Sequence, residues 1–271
     1  MAEWVAPARV LPKIEEVKSN LRRWRPLDWV LFWGVIPALL LLIYALPQVV
    51  RDDWFTLDTV SPWRIQTWFL SSYTHSQLYP HLAGNLAFYF VVLLMIFAFE
   101  ENRRRFWILA SWSFLAVPFL SSLLTILFWG VLGRTTTGQG FSAIIGALLA
   151  YAMFIFVVWG IGEKLEVLDK PELFTGSRAR YVVVKALLAV ILALIVVMGL
   201  QMGIFMDVGG QVSNGIAHFG GFITSLTLLL VFDLRYEKRR YLDTMLAAAI
   251  LVGIFWYGLY LARLVKVVTG G

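Results

Sequence analysis

The sequence predicts an all-α polytopic membrane protein with seven transmembrane helices, and three observations carry that prediction. The 271 residues are 60% apolar and only 15% charged, with 12 tryptophans and 20 phenylalanines, which is far from the balance of a soluble domain. The apolar residues gather into seven segments, each close to the roughly 20 residues a bilayer requires: about Trp29–Leu46, His81–Phe99, Trp107–Leu132, Phe141–Gly160, Tyr181–Met206, Gly215–Phe232 and Thr244–Val265. The basic residues, finally, sort to alternate loops. Six lie in the N-terminal tail, three at Arg103–Arg105, five between Lys164 and Lys185, and four at Arg235, Lys238, Arg239 and Arg240. The other side holds Arg51, Arg64, Arg134, Arg263 and Lys266, so the division of the 23 Lys and Arg is 18 to 5. Such a bias predicts a cytoplasmic N-terminus and an extracytoplasmic C-terminus in the cell membrane.

Taken in order, residues 1–28 form a basic tail. The first 25 lack an apolar core and carry Lys13, Lys18, Arg22, Arg23 and Arg25, so no cleavable signal peptide is expected. Ile14, Val17, Leu21 and Trp24 recur at helical spacing, which suits either a helix lying on anionic lipid or a plain solvated anchor. The net charge of +6 does not point to nucleic acid, because the basic residues lie between spans. Without cysteine there is no disulfide, thiolate chemistry or cysteine metal site. Residues 29–232 hold six spans. Pro37 and Pro118 interrupt apolar runs and are expected to kink rather than break them, because neighbouring helices can accommodate such sites. The long loop from Pro47 to Pro80 is rich in aromatics (Trp54, Phe55, Trp63, Trp68, Phe69) and predicts an interfacial, partly helical structure. Residues 233–271 supply a loop and the seventh span.

Three stretches carry chemistry. Gly138-Gln139-Gly140-Phe141-Ser142 puts a serine at the first turn of the fourth span, after glycines that allow a tight turn, where backbone N–H groups can meet a developing negative charge. His81 and Asn85, four apart at the start of the second span, share a helix face. They form either a paired donor site or a helix–helix hydrogen bond with an interfacial histidine. His218, in Ala217-His218-Phe219-Gly220-Gly221, opens the sixth span. Gly221 and Ser225 on its face match the small stripe Ser142, Gly146 and Ala150 on the fourth. Two small stripes bring backbones close enough for Ser142 and His218 to hydrogen-bond. Spans two, four and six all begin on the outer face, so Ser142, His218, His81 and Asn85 are expected at one level. This matches the acyl-transfer pattern of nucleophile, base and oxyanion donors. A photoreceptor would need a mid-membrane lysine on the last span, whereas Lys266 lies at its end. A transporter would show ionisable groups at the midplane.

With Trp63-Arg64 in the outer loop, these stretches resemble the signatures of rhomboid intramembrane serine proteases, in the family's order, over roughly Trp54 to Phe232. The resemblance implies a six-helix rhomboid-like core with an appended seventh helix. It implies a Ser142–His218 dyad without a carboxylate, and an oxyanion site from Asn85, His81 and the backbone N–H of Ser142. It further implies cleavage of the transmembrane segments of membrane-protein substrates, with no cofactor and no metal. The alternative is a pseudoprotease that binds membrane clients without cutting them; such proteins typically lack the serine or histidine retained here. Ala143 and Ser225 stand where the family usually has glycine. Six positions separate His75 from His81, where five is commoner, so His75 is left out of the predicted site. The polar, glycine-rich loop from Met206 to Asn214 reads as a lid beside His218.

Overall fold

The computed structural model describes residues 10–165, 183, 215–231 and 240–269. Helix α1 (Val10–Arg23) leads into α2 (Pro26–Tyr44). The long loop folds as α3 (Gln48–Phe55), strand β1 (Leu57–Asp58), α4 (Ile65–Leu70) and a 3₁₀ turn at Ser71–Tyr73. Then come α5 (Leu78–Phe99), α6 (Arg103–Val131), strand β2 (Thr137–Gly138), α7 (Ser142–Leu165), α8 (Gly215–Val231) and α9 (Arg240–Thr269). The architecture is all-α apart from one two-stranded antiparallel ribbon, in which Leu57 faces Gly138 and Asp58 faces Thr137.

Among the described residues four helices are long and apolar enough to cross a membrane, α2, α5, α6 and Leu246–Lys266 of α9. Ser142–Phe156 of α7 and the whole of α8 are shorter apolar helices. Six of the seven predicted segments are thus helical; the fifth, 181–206, apart from Val183, and the loop 206–214 lie outside the described residues. The helices run through both prolines. A widened π turn precedes each, Val30–Val35 before Pro37 and Trp112–Ala116 before Pro118, and absorbs the hydrogen bond that proline cannot donate. The partly helical character expected of the long loop is present, and Trp54, Trp63 and Ile65 stand exposed on it.

Buried polar contacts lock one end of the bundle. Asp28, fully buried, accepts two hydrogen bonds from Arg103, at 2.7 and 2.8 Å, and one from the indole of Trp107 at 3.0 Å. Glu100 accepts from Arg105 Nε at 2.8 Å and from the Tyr151 hydroxyl, tying α6 and α7 to the end of α5. Helix α1 is helical as its periodicity predicts, but its apolar face meets protein. Asn20 and the indole of Trp24 donate to the carbonyls of Ala98 (3.1 Å) and Phe97 (2.8 Å). These are carbonyls of the last turn of α5, which a helix cannot satisfy internally. Trp24 also stacks on Phe97 at 4.2 Å.

The most extensive packing joins α7 to α8, and glycine makes it possible. A Cβ at Gly221 would sit 2.0 Å from the carbonyl oxygen of Ala143, and one at Gly146 would sit 2.9 Å from that of His218. The helices therefore touch backbone to backbone. Helix α9 supports α8 from behind, with Tyr257 stacked on Phe219 at 3.6 Å.

No side-chain rotation can relieve a Cβ at 2.0 Å from a backbone oxygen, so Gly221→Ala forces the helices apart. Overpacking of this kind costs about 1–3 kcal/mol, and thermal unfolding in detergent should shift down by roughly 2 °C or more. Gly34→Ala is the control, since a Cβ at Gly34 meets nothing within 4 Å. Equal unfolding temperatures for the two variants would contradict the backbone contact.

Candidate active site

Ser142 is held from both sides. Upstream, the ribbon fixes the approach: Thr136 N–H donates to Thr59 Oγ1 at 2.7 Å, and Gln139 donates to Thr56 Oγ1. Gly140 N–H donates to the carbonyl of Ser71 at 2.9 Å. Gly140 turns the chain with φ +141°, a conformation L side chains rarely adopt. Phe141 then drives its ring into a fully buried pocket, against Tyr89 (5.5 Å), Phe114 (5.9 Å) and Tyr73 (6.1 Å). With Phe141 anchored, Ser142 emerges half-buried at the first residue of α7.

His218 lies in the first turn of α8 and is 8% exposed. Its Nε2 is 2.5 Å from Ser142 Oγ, a close hydroxyl–imidazole contact. The two glycine contacts of α7 and α8 flank this pair, so the packing predicted from the small stripes and the pairing it was expected to allow occur together.

His81 faces the serine across Gly140. A Cβ on Gly140 would meet His81 Nε2 at 3.2 Å and Ser142 Oγ at 3.6 Å, so both atoms border one small space. Asn85, 4% exposed, lies one turn further along α5 and reaches the loop through a third histidine. That histidine is His75. It is fully buried, and its Nε2 lies 2.8 Å from Asn85 Nδ2 and 3.3 Å from the N–H of Phe141. Its ring meets that of His81 edge-on at 4.8 Å. Burial, with the adjacent His81 adding to it, pushes the His75 imidazole down to about 3, so it stays neutral. His75, left outside the predicted site, thus lies against Asn85 and the loop before Ser142, and the chain between it and His81 includes an irregular turn, Leu78–Leu82, where Tyr79 is non-helical. A signal for it was present in the sequence, where all 3 histidines fall on one predicted side. Trp63 of the Trp63-Arg64 pair stands exposed, and Arg64 immediately precedes α4, its carbonyl accepting from the Thr67 hydroxyl at 2.7 Å.

Beside Ser142 lies a cleft of about 30 Å³ of water-accessible space, whose walls include Ser71, Ser72, Ser121, Ser122, Thr125 and Gln139. A water needs roughly 10–15 Å³ and two to four polar partners, and this cleft offers both. Sequence reasoning did not single out these hydroxyls, although Ser71-Ser72 and Ser121-Ser122 are paired serines in otherwise apolar surroundings. Among the described residues no group of three or more His, Cys, Asp or Glu converges as metal ligands would. The arrangement offers a hydroxyl nucleophile, a base touching it, donors nearby and room for water. No protein-family model, curated protein or solved structure matches the chain.

Gly140→Ala places a methyl group in the space shared by His81 and Ser142 and strains a positive-φ turn by about 1–3 kcal/mol. Displacement of the serine by even 1 Å can cost roughly 10²-fold in rate. Labelling of Ser142 by a fluorophosphonate should slow by at least that factor, measured by mass spectrometry of the adduct. Unchanged labelling would mean that this space is not the reacting one.

Proposed function

We propose that this protein is an intramembrane serine endopeptidase of the rhomboid type, hydrolysing peptide bonds in or near transmembrane segments of membrane proteins. The observation that carries the reading is the 2.5 Å contact between Ser142 Oγ and His218 Nε2 in an apolar helical bundle, beside a hydroxyl-lined cleft. The motif order, Trp63-Arg64, His81…Asn85, Gly140-Phe141-Ser142 and Ala217-His218, supports the same family.

In this reading His218 Nε2 takes the proton as Ser142 Oγ attacks the carbonyl carbon, and returns it to the leaving amine. The carbonyl oxygen becomes an oxyanion, met by the backbone N–H of Ser142, the Asn85 amide and His81. Water from the cleft then attacks the acyl-enzyme, with His218 again as base. Hydrolysis inside an apolar bundle requires such a polar reservoir, because lipid supplies no water. The proposed setting is the cell membrane, multi-pass with seven spans in all, with the N-terminus cytoplasmic and the site near the extracytoplasmic face. Helix-weak substrate segments suit the site best, because a peptide bond must leave its helix before it can be attacked.

Two experiments test the reading. Ser142→Ala and His218→Ala should each abolish cleavage of a model transmembrane substrate in proteoliposomes while folding is retained. Wild-type cleavage by the alanine variant at 142 would rule out serine catalysis. For orientation, single cysteines introduced into this cysteine-less chain serve as reporters. Ser76→Cys should react with a membrane-impermeant maleimide on intact cells and Ser19→Cys should not; both positions are exposed. The opposite pattern would put the site on the cytoplasmic side.

A further inference from the structure

His75 occupies a position that the reaction scheme does not use, and its contacts give it a specific task. Two donors converge on its Nε2, the side-chain amide of Asn85 at 2.8 Å and the backbone N–H of Phe141 at 3.3 Å. The backbone N–H of Phe141 can only donate, so Nε2 is the acceptor of its ring, the proton is on Nδ1, and Asn85 meets Nε2 with its amide nitrogen rather than its oxygen. The Nδ1 atom is itself buried, with no hydrogen-bond partner among the described residues. The histidine is clamped in turn, since Arg51 Nη1 donates to its carbonyl at 2.9 Å while the guanidinium lies 4.7 Å over the ring of Tyr44.

We propose that His75 is a positioning residue for the reaction: by accepting one N–H of Asn85 it fixes which way the amide points, and by accepting Phe141 N–H it holds the serine loop in register with that amide. The proposal rests on the protease reading above. Its logic lies in the two protons of the Asn85 nitrogen. One is committed to His75, and the planarity of the amide then fixes the direction of the second. A nitrogen at this place also forces the Asn85 oxygen to the other side. An amide turned by half a revolution would present a lone pair, instead of a donor, to the oxyanion. A pure acceptor at Nε2 excludes that orientation, and neutrality of His75 keeps Nε2 an acceptor throughout the physiological pH range. The same atom grips the residue before the nucleophile, so donor and nucleophile share one reference point. Substitution of His75 should therefore act through Asn85 and leave substrate binding unchanged.

The test is a double-mutant cycle on the purified full-length protein, reading the rate of fluorophosphonate labelling of Ser142 and the kcat and KM for a transmembrane model substrate. In the labelling step a bond forms from Ser142 Oγ to phosphorus as His218 Nε2 takes the hydroxyl proton, the P–F bond breaks with loss of fluoride, and the phosphoryl oxygen occupies the oxyanion position. Asn85→Ala is expected to lower labelling and kcat about 10²-fold, the usual range for an oxyanion donor being about 10²–10³. His75→Leu removes the acceptor and should lower both about 10–10²-fold with KM within about twofold. In the His75→Leu background Asn85→Ala should lower the rate only to the level of Asn85→Ala alone, because the amide is already misdirected. His75→Gln can present a carbonyl oxygen to the same two donors. It should stay within about tenfold of wild type and restore the full Asn85→Ala loss. If His75→Leu does not fold, His75→Gln decides alone, and a kcat loss well beyond tenfold with the acceptor oxygen in place would overturn the positioning role. Independent, multiplying effects of His75→Leu and Asn85→Ala, or a KM rise in place of a kcat loss, would overturn it likewise. Wild-type protein unlabelled at Ser142 would overturn the protease reading and this proposal with it, whereas labelled wild type with additive variants would overturn the proposal only.

Discussion

The backbone contact of α7 and α8 is the constraint on which the rest depends. In lipid, apolar side chains gain little by exchanging hydrocarbon for protein, so helix association rests on close packing. Gly146 and Gly221 let each helix approach the other's carbonyls, at Ala143 and His218. Both carbonyls belong to the stretches that carry the proposed nucleophile and base, so the tightest packing and the Ser142–His218 contact are one feature seen at two scales. A looser interface would leave a serine and a histidine on neighbouring helices with no chemistry between them. Helix α9 enters the same logic from the far side of α8, where the stack of Tyr257 on Phe219 supports the helix next to His218.

Packing sets the distance between helices but not the direction of the serine, which the long loop and its ribbon settle. The ribbon, the Gly140–Ser71 hydrogen bond and the aromatic pocket around Phe141 act on three consecutive parts of one short loop. Each includes a contact from residues 47–80, the aromatic pocket through Tyr73, so the loop segment works as the second half of the site. The same segment supplies Ser71 and Ser72 to the cleft and His75 to Asn85. Polar groups buried in a bundle are stable only when partnered. That condition is met here for His75 Nε2 and the Asn85 amide nitrogen, which satisfy one another, while His75 Nδ1, His81 Nδ1 and the Gln139 amide oxygen stay buried without a partner among the described residues.

The fold class and the proposed dyad were legible in the sequence because both follow from patterns local to a few residues. Apolar length marks a span, and Gly146 and Gly221 mark close approach by their spacing from Ser142 and His218. The place of His75 was not legible, because it comes from two long-range contacts that no spacing encodes, and its distance from His81 departs from the pattern of the proposed family. The β1–β2 ribbon escaped for another reason: two residues per strand are too few for alternation to register. The docking of α1 escaped because Leu21 and Trp24 suit a lipid face and a protein face equally well, and only the unsatisfied carbonyls of Phe97 and Ala98 decide between them.

Gly140 joins these strands of evidence. Its missing Cβ leaves a space bounded by Ser142 Oγ and His81 Nε2, and its φ of +141° points the following residue into the aromatic pocket. A side chain here would fill the space between Ser142 Oγ and His81 Nε2, where the proposed reaction puts the substrate carbonyl, and would bend the loop that aims the serine. The hydroxyl-lined cleft opens beside the same residue, so a substrate carbonyl, the attacking hydroxyl and the hydrolytic water would all meet at a point that only glycine leaves clear. The polar lining of that point carries a burial penalty that an apolar lining would avoid. In the proposed reaction that penalty is offset when something polar is received there, and a scissile peptide group followed by water has the hydrogen-bonding capacity to match.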